Sequence, residues 1–410
     1  MDFDDSPAEA AFRAEARTWL QENAKPLDGH RSSPWADNGA EHVRACKAWQ
    51  RTLFDAGWAG ITWPTEFGGR GATSIEGAVF TQEQARFDVS AGVFAVGIGM
   101  VGPTLIAHGS AEQQQRYLGA LLRGEEVWCQ LFSEPGAGSD LAGLSTRAVR
   151  DGDEFVVNGQ KVWTSGAQHS DWAILLARTD PTQPKHRGIT YLVVDMTTPG
   201  IDVRPLRQIS GVAHFNEVFL TDVRVPAANV VGEPGAGWGV ALTTMANERN
   251  LIGGGAGTGF ADLAALARQT GTDLDAVRRQ DLAAAYTRWE LQRFLGYRVQ
   301  TAQSQGRAPG PESSILKLFY SQHLARTGDL VMAMQGIAGV ATAAPTAPTG
   351  PSAEFWASYF LNQWASRIGG GTDQVQRNII GERVLGLPGE PRTDKALPFN
   401  QLSASVGREG

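Results

Sequence analysis

The order of helical and strand-forming stretches along the chain is the feature that most limits its fold. Residues 1 to about 125 carry apolar side chains at spacings of three and four, which indicates helices. From Val127 to about Val231 short strand-like runs alternate with turns, and no helix of usable length interrupts them. From Gly237 onwards the helical spacing returns. A doubly wound parallel sheet needs crossover helices, so the sequence predicts an antiparallel barrel or sandwich between two helical regions.

We therefore predict an α+β, multidomain protein. The expected domains are an N-terminal helical domain (residues 1–126), a middle antiparallel β-barrel or sandwich (127–234) and a C-terminal helical bundle (235–410). The clearest helical patterns cover residues 8–20, 42–54, 240–251, 274–303 and 312–334, with a last helix from Ala353. The strand patterns cover residues 145–149, 154–157, 172–177, 190–194 and 217–220, with turns at 150–153 and 158–159.

The composition excludes several classes of protein and partner. The 36 Lys and Arg residues against 43 Asp and Glu give a net charge of −7, which argues against a nucleic-acid partner. Two cysteines in the whole chain exclude a disulfide scaffold. Residues 90–108 carry no charge and imitate a membrane span, but four glycines and Pro103 favour a buried helix followed by a turn. We expect a soluble, cytoplasmic protein without a membrane partner.

Two short motifs match known functional patterns, but their surroundings argue against those functions. Residues 97–102, GIGMVG, have the spacing of a dinucleotide-binding fingerprint, yet they lie in a helical region without the strand that this motif requires. Residues 314–317, SILK, match the serine–lysine motif of penicillin-recognising enzymes, whose companion motifs are missing. No nucleophile elbow, Walker lysine loop or zinc-binding histidine pair occurs, so we expect no bound metal.

Three segments carry residues that suit a ligand. Residues 133–140, SEPGAGSD, have small side chains that let main-chain N–H groups approach a phosphate-bearing ligand. Residues 158–166, NGQKVWTSG, place a flat tryptophan before two hydroxyl groups, which suits a planar heterocycle. Residues 367–383, RIGGGTDQVQRNIIGER, place three glycines before a helix start, where free N–H groups stabilise an oxyanion. Taken alone, the first is more often a plain turn and the second a core tryptophan.

Together these segments resemble the acyl-CoA dehydrogenases, which are flavoproteins. The resemblance covers nearly the whole chain, because further family-like segments occur in the right order. They are FDAGWAG at residues 54–60, WPTEFGG at 63–69, NEVFLTDVRVP at 216–226, VGEPGAGW at 231–238 and GERVLGLP at 381–388. The resemblance implies FAD held between the middle domain and the C-terminal helices, and oxidation of an acyl-CoA thioester to the trans-2-enoyl-CoA. It also implies a homotetramer or mixed tetramer and an electron-transferring flavoprotein as electron acceptor.

The resemblance also assigns the site residues. The residues that it places against the flavin or its dinucleotide are Gln130, Leu131, Phe132, Ser133, Trp163, Thr164, Ser165, Thr372 and Gln374. Arg268 belongs to a short match with the segment that reaches the FAD of a neighbouring subunit. The residues that it places against the acyl-CoA substrate are Ser139, Arg249, Gly370 and Gly371.

The chain departs from the usual family pattern at the catalytic base. Most relatives place the glutamate that removes the α-proton directly before the Gly-Thr of the third segment, where this chain has Gly370. A minority place it on an earlier helix, just before an arginine, and the chain has Glu248 there. The resemblance therefore implies that Glu248 takes the α-proton while the β-carbon gives a hydride to flavin N5. The alternative is that Glu248 only pairs with an arginine on a solvated helix face.

The glycine at position 370 has its own consequence. In the acyl-CoA dehydrogenases the main-chain N–H at this position helps to bind the thioester oxygen, whose enolate charge must be stabilised, and the resemblance implies that Gly370 keeps this role. The volume left by the missing side chain suits a branched, cyclic or steroid acyl group. We also expect a raised pKa for Glu248 where the acyl chain excludes water.

Two other functions remain open at the level of sequence. The missing glutamate at Gly370 and a degraded glycine motif at residues 334–339 are compatible with a non-catalytic or partly catalytic subunit of a mixed assembly. The same fold also serves acyl-CoA oxidases and flavin monooxygenases, although the oxidases are often longer than this chain.

Overall fold

The computed structural model describes residues 5–27, 39–253, 259–305, 310–311, 313–340, 352–391 and 394–402. The α-helices in these residues are α1 (Pro7–Asn23), α2 (Ala40–Asp55), α3 (Ser74–Gln84), α4 (Gly102–His108), α5 (Ala111–Leu122), α6 (Gly237–Gly253), α7 (Phe260–Thr270), α8 (Ala276–Ser304), α9 (Ser313–Gln335), α10 (Ala353–Ile368) and α11 (Asp373–Ile379). The β-strands are β1 (Trp128–Leu131), β2 (Arg147–Asp151), β3 (Glu154–Ser165), β4 (Trp172–Arg178), β5 (Ile189–Asp195), β6 (Ile201–Leu206) and β7 (Phe215–Pro226). The order of helices, strands and helices confirms the predicted fold class.

Local sequence signals determine where three N-terminal helices begin. Ser6, Thr73 and Ser110 each form a capping box, in which the side chain accepts from the N–H three residues on. The side chain at that third position binds the N–H of the cap residue in return. The helices α1 and α2 cover the two stretches predicted there, and α5 begins after the predicted cap at Ser110.

The strands form one curled sheet in the order β1-β4-β2-β3-β7-β6, and β5 pairs with β4. Most pairings are antiparallel, including the long pairing of β3 with β7. β4 pairs in parallel with β1 along its length and with β2 at a single position. The sheet is therefore antiparallel over most of its width, as predicted, with parallel pairing only at β4.

The turn predicted at residues 158–159 is wrong, because β3 continues through both residues with a bulge. The main chain at Gly159 lies so close to Thr146 that a Cβ there would fall 2.3 Å from the hydroxyl oxygen. The side-chain amide of Asn158 donates to Asp222 (3.0 Å) and its oxygen accepts from the N–H of the same residue (3.0 Å). An Asn-Gly pair inside a strand thus marks a bulge rather than a reversal.

The uncharged stretch 90–108 is helical, but it does not end in a turn at Pro103. A π-helical turn, Gly97–Val101, leads directly into α4, and Pro103 occupies the first turn of that helix, where a missing N–H costs nothing. Gly97 and Gly102 permit close packing, since a Cβ at these positions would meet Leu121 at 2.5 Å and Trp63 at 2.0 Å. In the part of the chain that is described, no helix is both long and apolar enough to cross a membrane.

Two apolar cores meet at the sheet. The first joins the N-terminal helices, one sheet face and the start of α6, and includes Trp128 and Val240. The second lies on the other face and includes Cys129 and Leu131. Because successive side chains of a strand point to opposite faces, Gln130 follows Trp128 towards the helical domains. A third core lies among the helices α7 to α10.

A buried ion pair orders the loop between β1 and β2. The ammonium group of Lys161 donates to Glu134 (2.9 Å) and to the carbonyl of Phe132 (2.9 Å). Glu134 also accepts from the N–H groups of Ser145 (2.7 Å) and Thr146 (2.9 Å). Burial favours a raised pKa for the Glu134 carboxyl, but the charge and hydrogen bond of Lys161 outweigh burial and lower that pKa. This pair therefore fastens residues 133–146 to the sheet.

We expect Lys161→Met to lower the free energy of unfolding by about 3–5 kcal/mol, because it leaves the carboxylate of Glu134 buried without a counter-charge. Denaturation followed by tryptophan fluorescence measures this change. Arg224→Met is the matched control, since Arg224 pairs with Asp151 and Glu154 on the solvated surface and should cost less than about 1 kcal/mol. Equal losses in the two variants would contradict this account.

Candidate active site

Glu248 lies at the place where the three regions of the chain meet. It is on α6, which packs against α4 of the N-terminal region, β5 of the sheet and α9 of the C-terminal region. Its carboxyl group lies next to the side-chain amide of Gln130, which points out of β1 towards the helices. The fold thus brings together two predicted site residues that are more than a hundred positions apart in sequence.

The surroundings of Glu248 raise the pKa of its carboxyl group. Burial is the main cause, because a charged carboxylate loses hydration there. The positive charge of Arg249, the hydrogen bond from Gln130 and the charge of Lys317 oppose this effect without cancelling it. The half-buried position of Glu248 argues against the alternative in which it only pairs with an arginine on a solvated helix face. A carboxyl group in this environment is suited to act as a base.

The three glycines before α11 form a turn that is linked to Glu248 through Lys317. Gly370 and Gly371 have φ angles of 63° and 85°, a region of backbone conformation that favours glycine. The ammonium group of Lys317 donates to the carbonyl of Gly371 (2.6 Å), and the amide of Gln376 donates to that of Gly370 (2.8 Å). Among the described residues, none accepts a hydrogen bond from the N–H of Gly370.

Sequence reasoning missed the charged network that holds this turn. Lys317 and Asp373 are both buried, and their nearest charged atoms are 3.9 Å apart. Ser321 donates to Asp373 (2.6 Å), and the guanidinium of Arg367 lies 3.3 Å from the same carboxylate. The only signal in the sequence was the serine–lysine motif at residues 314–317, which has a structural use here because Lys317 binds the glycine turn.

Trp163 lies within β3, and its aromatic ring is exposed. Its φ angle is 62°, a strained conformation for a residue with a side chain, and it lies in a bulge of the pairing between β3 and β7. The bulge leaves 61% of Trp163 exposed, with its ring edge-to-face against Phe215. Ser165 is exposed as well, whereas Thr164 is buried and its hydroxyl has no partner in the described part of the chain.

The predicted cofactor residues after Gln130 contribute in different ways. The N–H of Val162 donates to the carbonyl of Ser133 (2.9 Å), which places Ser133 close to Trp163. The side chains of Leu131 and Phe132 are buried in the apolar cores, where strand alternation and Tyr191 hold them. If these two residues contact a cofactor, they do so through their main-chain atoms.

The remaining predicted residues lie on exposed or partly exposed surfaces. Ser139 is exposed in the loop that Glu134 orders. Thr372 caps α11 by accepting from the N–H of Val375 (3.1 Å), and Gln374 is exposed on its first turn. Arg268 is exposed on the last turn of α7, as contact with a neighbouring subunit requires.

A cleft of about 800 Å³ opens beside the first turn of α6. Arg150, His186 and Arg187 supply cationic or titratable groups to its lining, and Trp238 supplies an aromatic ring that packs edge-to-face on His186. Trp238 precedes Glu248 by ten residues on α6, which corresponds to about 15 Å along the helix. The cleft and Glu248 are therefore separated by about three turns of the same helix.

Comparisons with known proteins agree along the whole chain. The families described as the N-terminal, middle and C-terminal domains of acyl-CoA dehydrogenase match residues 6–125, 129–223 and 235–385. Acyl-CoA dehydrogenase IpdE1 of Mycobacterium tuberculosis is 40% identical over 394 aligned residues, which cover 93% of this chain and 98% of that protein.

Two solved structures extend this similarity to the fold. One, described as the Tcur3481-Tcur3483 steroid ACAD, is 32% identical with a TM-score of 0.82, and the match covers 95% of this chain and 100% of that one. The ChsE4-ChsE5 complex from Mycobacterium tuberculosis is 30% identical with a TM-score of 0.76, again over 95% and 100% of the two chains. From its sequence, its fold and these relatives, the chain belongs to the acyl-CoA dehydrogenase family of enzymes.

Proposed function

We propose that the protein catalyses the FAD-dependent α,β-dehydrogenation of an acyl-CoA thioester, with Glu248 as the base that removes the α-proton. The observation that carries this proposal is the position of Glu248, whose half-buried carboxyl group lies next to Gln130 at the meeting point of the three regions. The position that carries the base in most relatives is Gly370, which has no proton acceptor on a side chain.

Several residues around Glu248 contribute in different ways to the removal of the α-proton. Its raised pKa makes the carboxylate a stronger proton acceptor than a solvated one, while Arg249 and Lys317 keep part of it ionised. The N–H of Gly370 is available to donate to the thioester oxygen, where negative charge develops as the α-proton leaves. Lys317 and Gln376 hold the carbonyls of the turn and so fix its orientation.

The residues predicted for FAD fit such a group. The exposed ring of Trp163 on a strained backbone offers a flat surface for an aromatic ring system, and the unpartnered hydroxyl of Thr164 lies next to it. Ser133 and Ser165 add polar groups at the same place. FAD, when bound there, supplies the acceptor for the hydride that leaves the β-carbon.

The cleft and α6 together suit a CoA thioester. The cationic groups of Arg150 and Arg187 fit a phosphorylated nucleotide, and the ring of Trp238 fits its base. Arg249 has a buried Nε without a partner among the described residues, which suits it to a polar atom of the substrate near the thioester. Gly370 carries no side chain where most relatives carry a glutamate, which suits a bulky acyl group, and one relative of similar fold is described as a steroid ACAD. We therefore propose a branched, cyclic or steroid-type acyl group.

We further propose that the chain works in an assembly of subunits, with an electron-transferring flavoprotein as electron acceptor. Ile337, Val340 and Ile368 are large apolar residues left exposed in the C-terminal region, where a neighbouring subunit can cover them. One relative of similar fold is described as a complex of two named chains, so a mixed tetramer remains an alternative to a homotetramer.

Two observations would favour the alternative functions. A purified chain that is colourless and gains flavin only with a second chain would support a non-catalytic or partly catalytic subunit. Oxygen consumption without another electron acceptor would support an oxidase or monooxygenase.

We expect Glu248→Gln to slow the bleaching of bound flavin by acyl-CoA at least about 100-fold, because the α-proton loses its acceptor. The absorption spectrum of the oxidised flavin should not change. Stopped-flow absorbance with straight-chain, branched and steroid side-chain CoA thioesters measures the rate. Glu154→Gln, on the surface of β3, is the matched control and should react as the unmodified protein does. Bleaching of the Glu248→Gln variant at the normal rate would remove the proposed role.

The pH dependence of the same reaction tests the contact between Glu248 and Gln130. The ionised carboxylate is the active form, so the rate falls as the pH falls through the pKa of Glu248. The hydrogen bond from Gln130 lowers that pKa, so Gln130→Leu should raise it and move the acid limb to higher pH. Gln160→Leu removes a comparable bond to Glu217 on the sheet and should leave the limb in place. If the acid limb of the pH–rate profile does not move in Gln130→Leu, the contact between Gln130 and Glu248 is contradicted.

A further inference from the structure

The last described residues of the chain do not end in the C-terminal helical region but lie on the β-domain. We call residues 394–402 the C-terminal strap and residues 179–188 the cleft loop. Pro398 of the strap forms a β-bridge with Pro184 of the cleft loop. The N–H groups of Phe399 and Asn400 donate to carbonyls of the same loop, at 2.8 and 3.0 Å. The strap therefore pairs with the cleft loop along its main chain.

A buried lysine connects the strap to the loop that carries Ser139. The side chain of Lys185 in the cleft loop is only 5% exposed. Its ammonium group binds the carboxylate of Asp140 at 2.9 and 3.0 Å and that of Asp394 in the strap at 2.6 Å. Burial favours a lowered pKa for Lys185, but the two carboxylates outweigh burial and raise it. Asp394 thus supplies one of the two charges that keep this lysine ionised in its position.

A buried arginine makes a second connection. The guanidinium of Arg178 donates to the carbonyls of Ala142 and Leu144 in one loop and of Lys185 and Arg187 in the other. The ring of Phe399 covers it, with the guanidinium carbon 3.8 Å from the ring centroid. Burial lowers the pKa of Arg178 to about 10. Phe399 therefore keeps water away from the hydrogen bonds that join the two loops.

The two loops joined in this way are the ones that face the proposed substrate. Gln183, His186 and Arg187 of the cleft loop line the cleft, while Pro181, Gln183 and Lys185 of the same loop contact the strap. We propose that the C-terminal strap is a built part of the CoA-binding surface, in which Asp394 and Phe399 are positioning residues that fix the cleft loop and the Ser139 loop. This inference rests on the proposed function for the identity of the ligand.

The test compares two truncations of the flavin-loaded protein. Removal of residues 392–410 takes away the strap, whereas removal of residues 403–410 leaves it and serves as the control. Free CoA is the probe, because every proposed substrate contains it. We expect loss of the strap to weaken CoA binding about 10-fold in calorimetry, which equals about 1.4 kcal/mol, and to speed amide hydrogen exchange in residues 179–188. The flavin content should stay the same and the control should match the full chain.

Two point variants keep the test decisive if the shorter chain fails to fold. Asp394→Asn removes the charge that binds Lys185, and Phe399→Ala uncovers Arg178. For both we expect KM for acyl-CoA to rise about 3- to 10-fold while kcat stays within about twofold, which is the pattern of lost substrate binding rather than lost chemistry. A general loss of stability would instead lower flavin content and kcat together.

The outcomes separate this inference from the proposed function. Unchanged CoA affinity and unchanged exchange in residues 179–188 after removal of the strap would overturn the positioning role. A full-length protein that binds CoA but is reduced by no acyl-CoA would overturn the proposed dehydrogenation and leave the role of the strap standing. Absence of CoA binding in the full-length protein would overturn both.

Discussion

The half-buried carboxyl group of Glu248 is the feature that links the packing of the three regions to the proposed chemistry. A carboxylate away from water is costly unless hydrogen bonds and positive charges surround it. Here the middle sheet supplies Gln130, α6 itself supplies Arg249 and the C-terminal bundle supplies Lys317. Gln130 lies on the sheet and Lys317 on α9, so the electrostatic environment of Glu248 exists only when the middle sheet and the C-terminal helices are packed together. The same packing that forms the core therefore sets the proton affinity of the proposed base.

The glycine turn at residues 369–371 is the counterpart of this arrangement. Gly370 and Gly371 adopt left-handed backbone conformations, and Lys317 and Gln376 bind their carbonyl groups. The turn thereby offers main-chain donors without side-chain bulk. Lys317 acts on both parts of the site, because its charge reaches Glu248 while its ammonium group holds the turn. This coupling explains why a lysine is retained in a position where burial disfavours its charge.

Buried cations have a similar structural use in the β-domain, where they fix loops rather than tune a base. Lys161 binds Glu134 and orders the segment that carries Ser133 and Ser139. Arg178 and Lys185 join that segment to the cleft loop, and the C-terminal strap completes their surroundings. In each case a long side chain from a strand or from the cleft loop reaches main-chain carbonyls or a carboxylate of a loop. The loops proposed to contact FAD and CoA are consequently held by buried cationic side chains instead of by regular secondary structure.

The sequence by itself determined the helical, β, helical order, most helix positions and the candidate base, because periodicity, capping residues and motifs are local properties. Local signals failed where a distant contact decides the conformation. The Asn-Gly pair at residues 158–159 predicts a turn, but Gly159 lies in a strand and permits a close approach to Thr146. Pro103 predicts the end of a helix, but it lies in the first turn of α4. They also could not distinguish the exposed Trp163 from a core tryptophan. Nor could they show that Leu131 points into the second core while Gln130 points towards the helical domains. Only the tertiary structure decided these points, as well as the surroundings of Glu248 and the path of the strap, since burial and charge at a residue depend on what other elements bring to it.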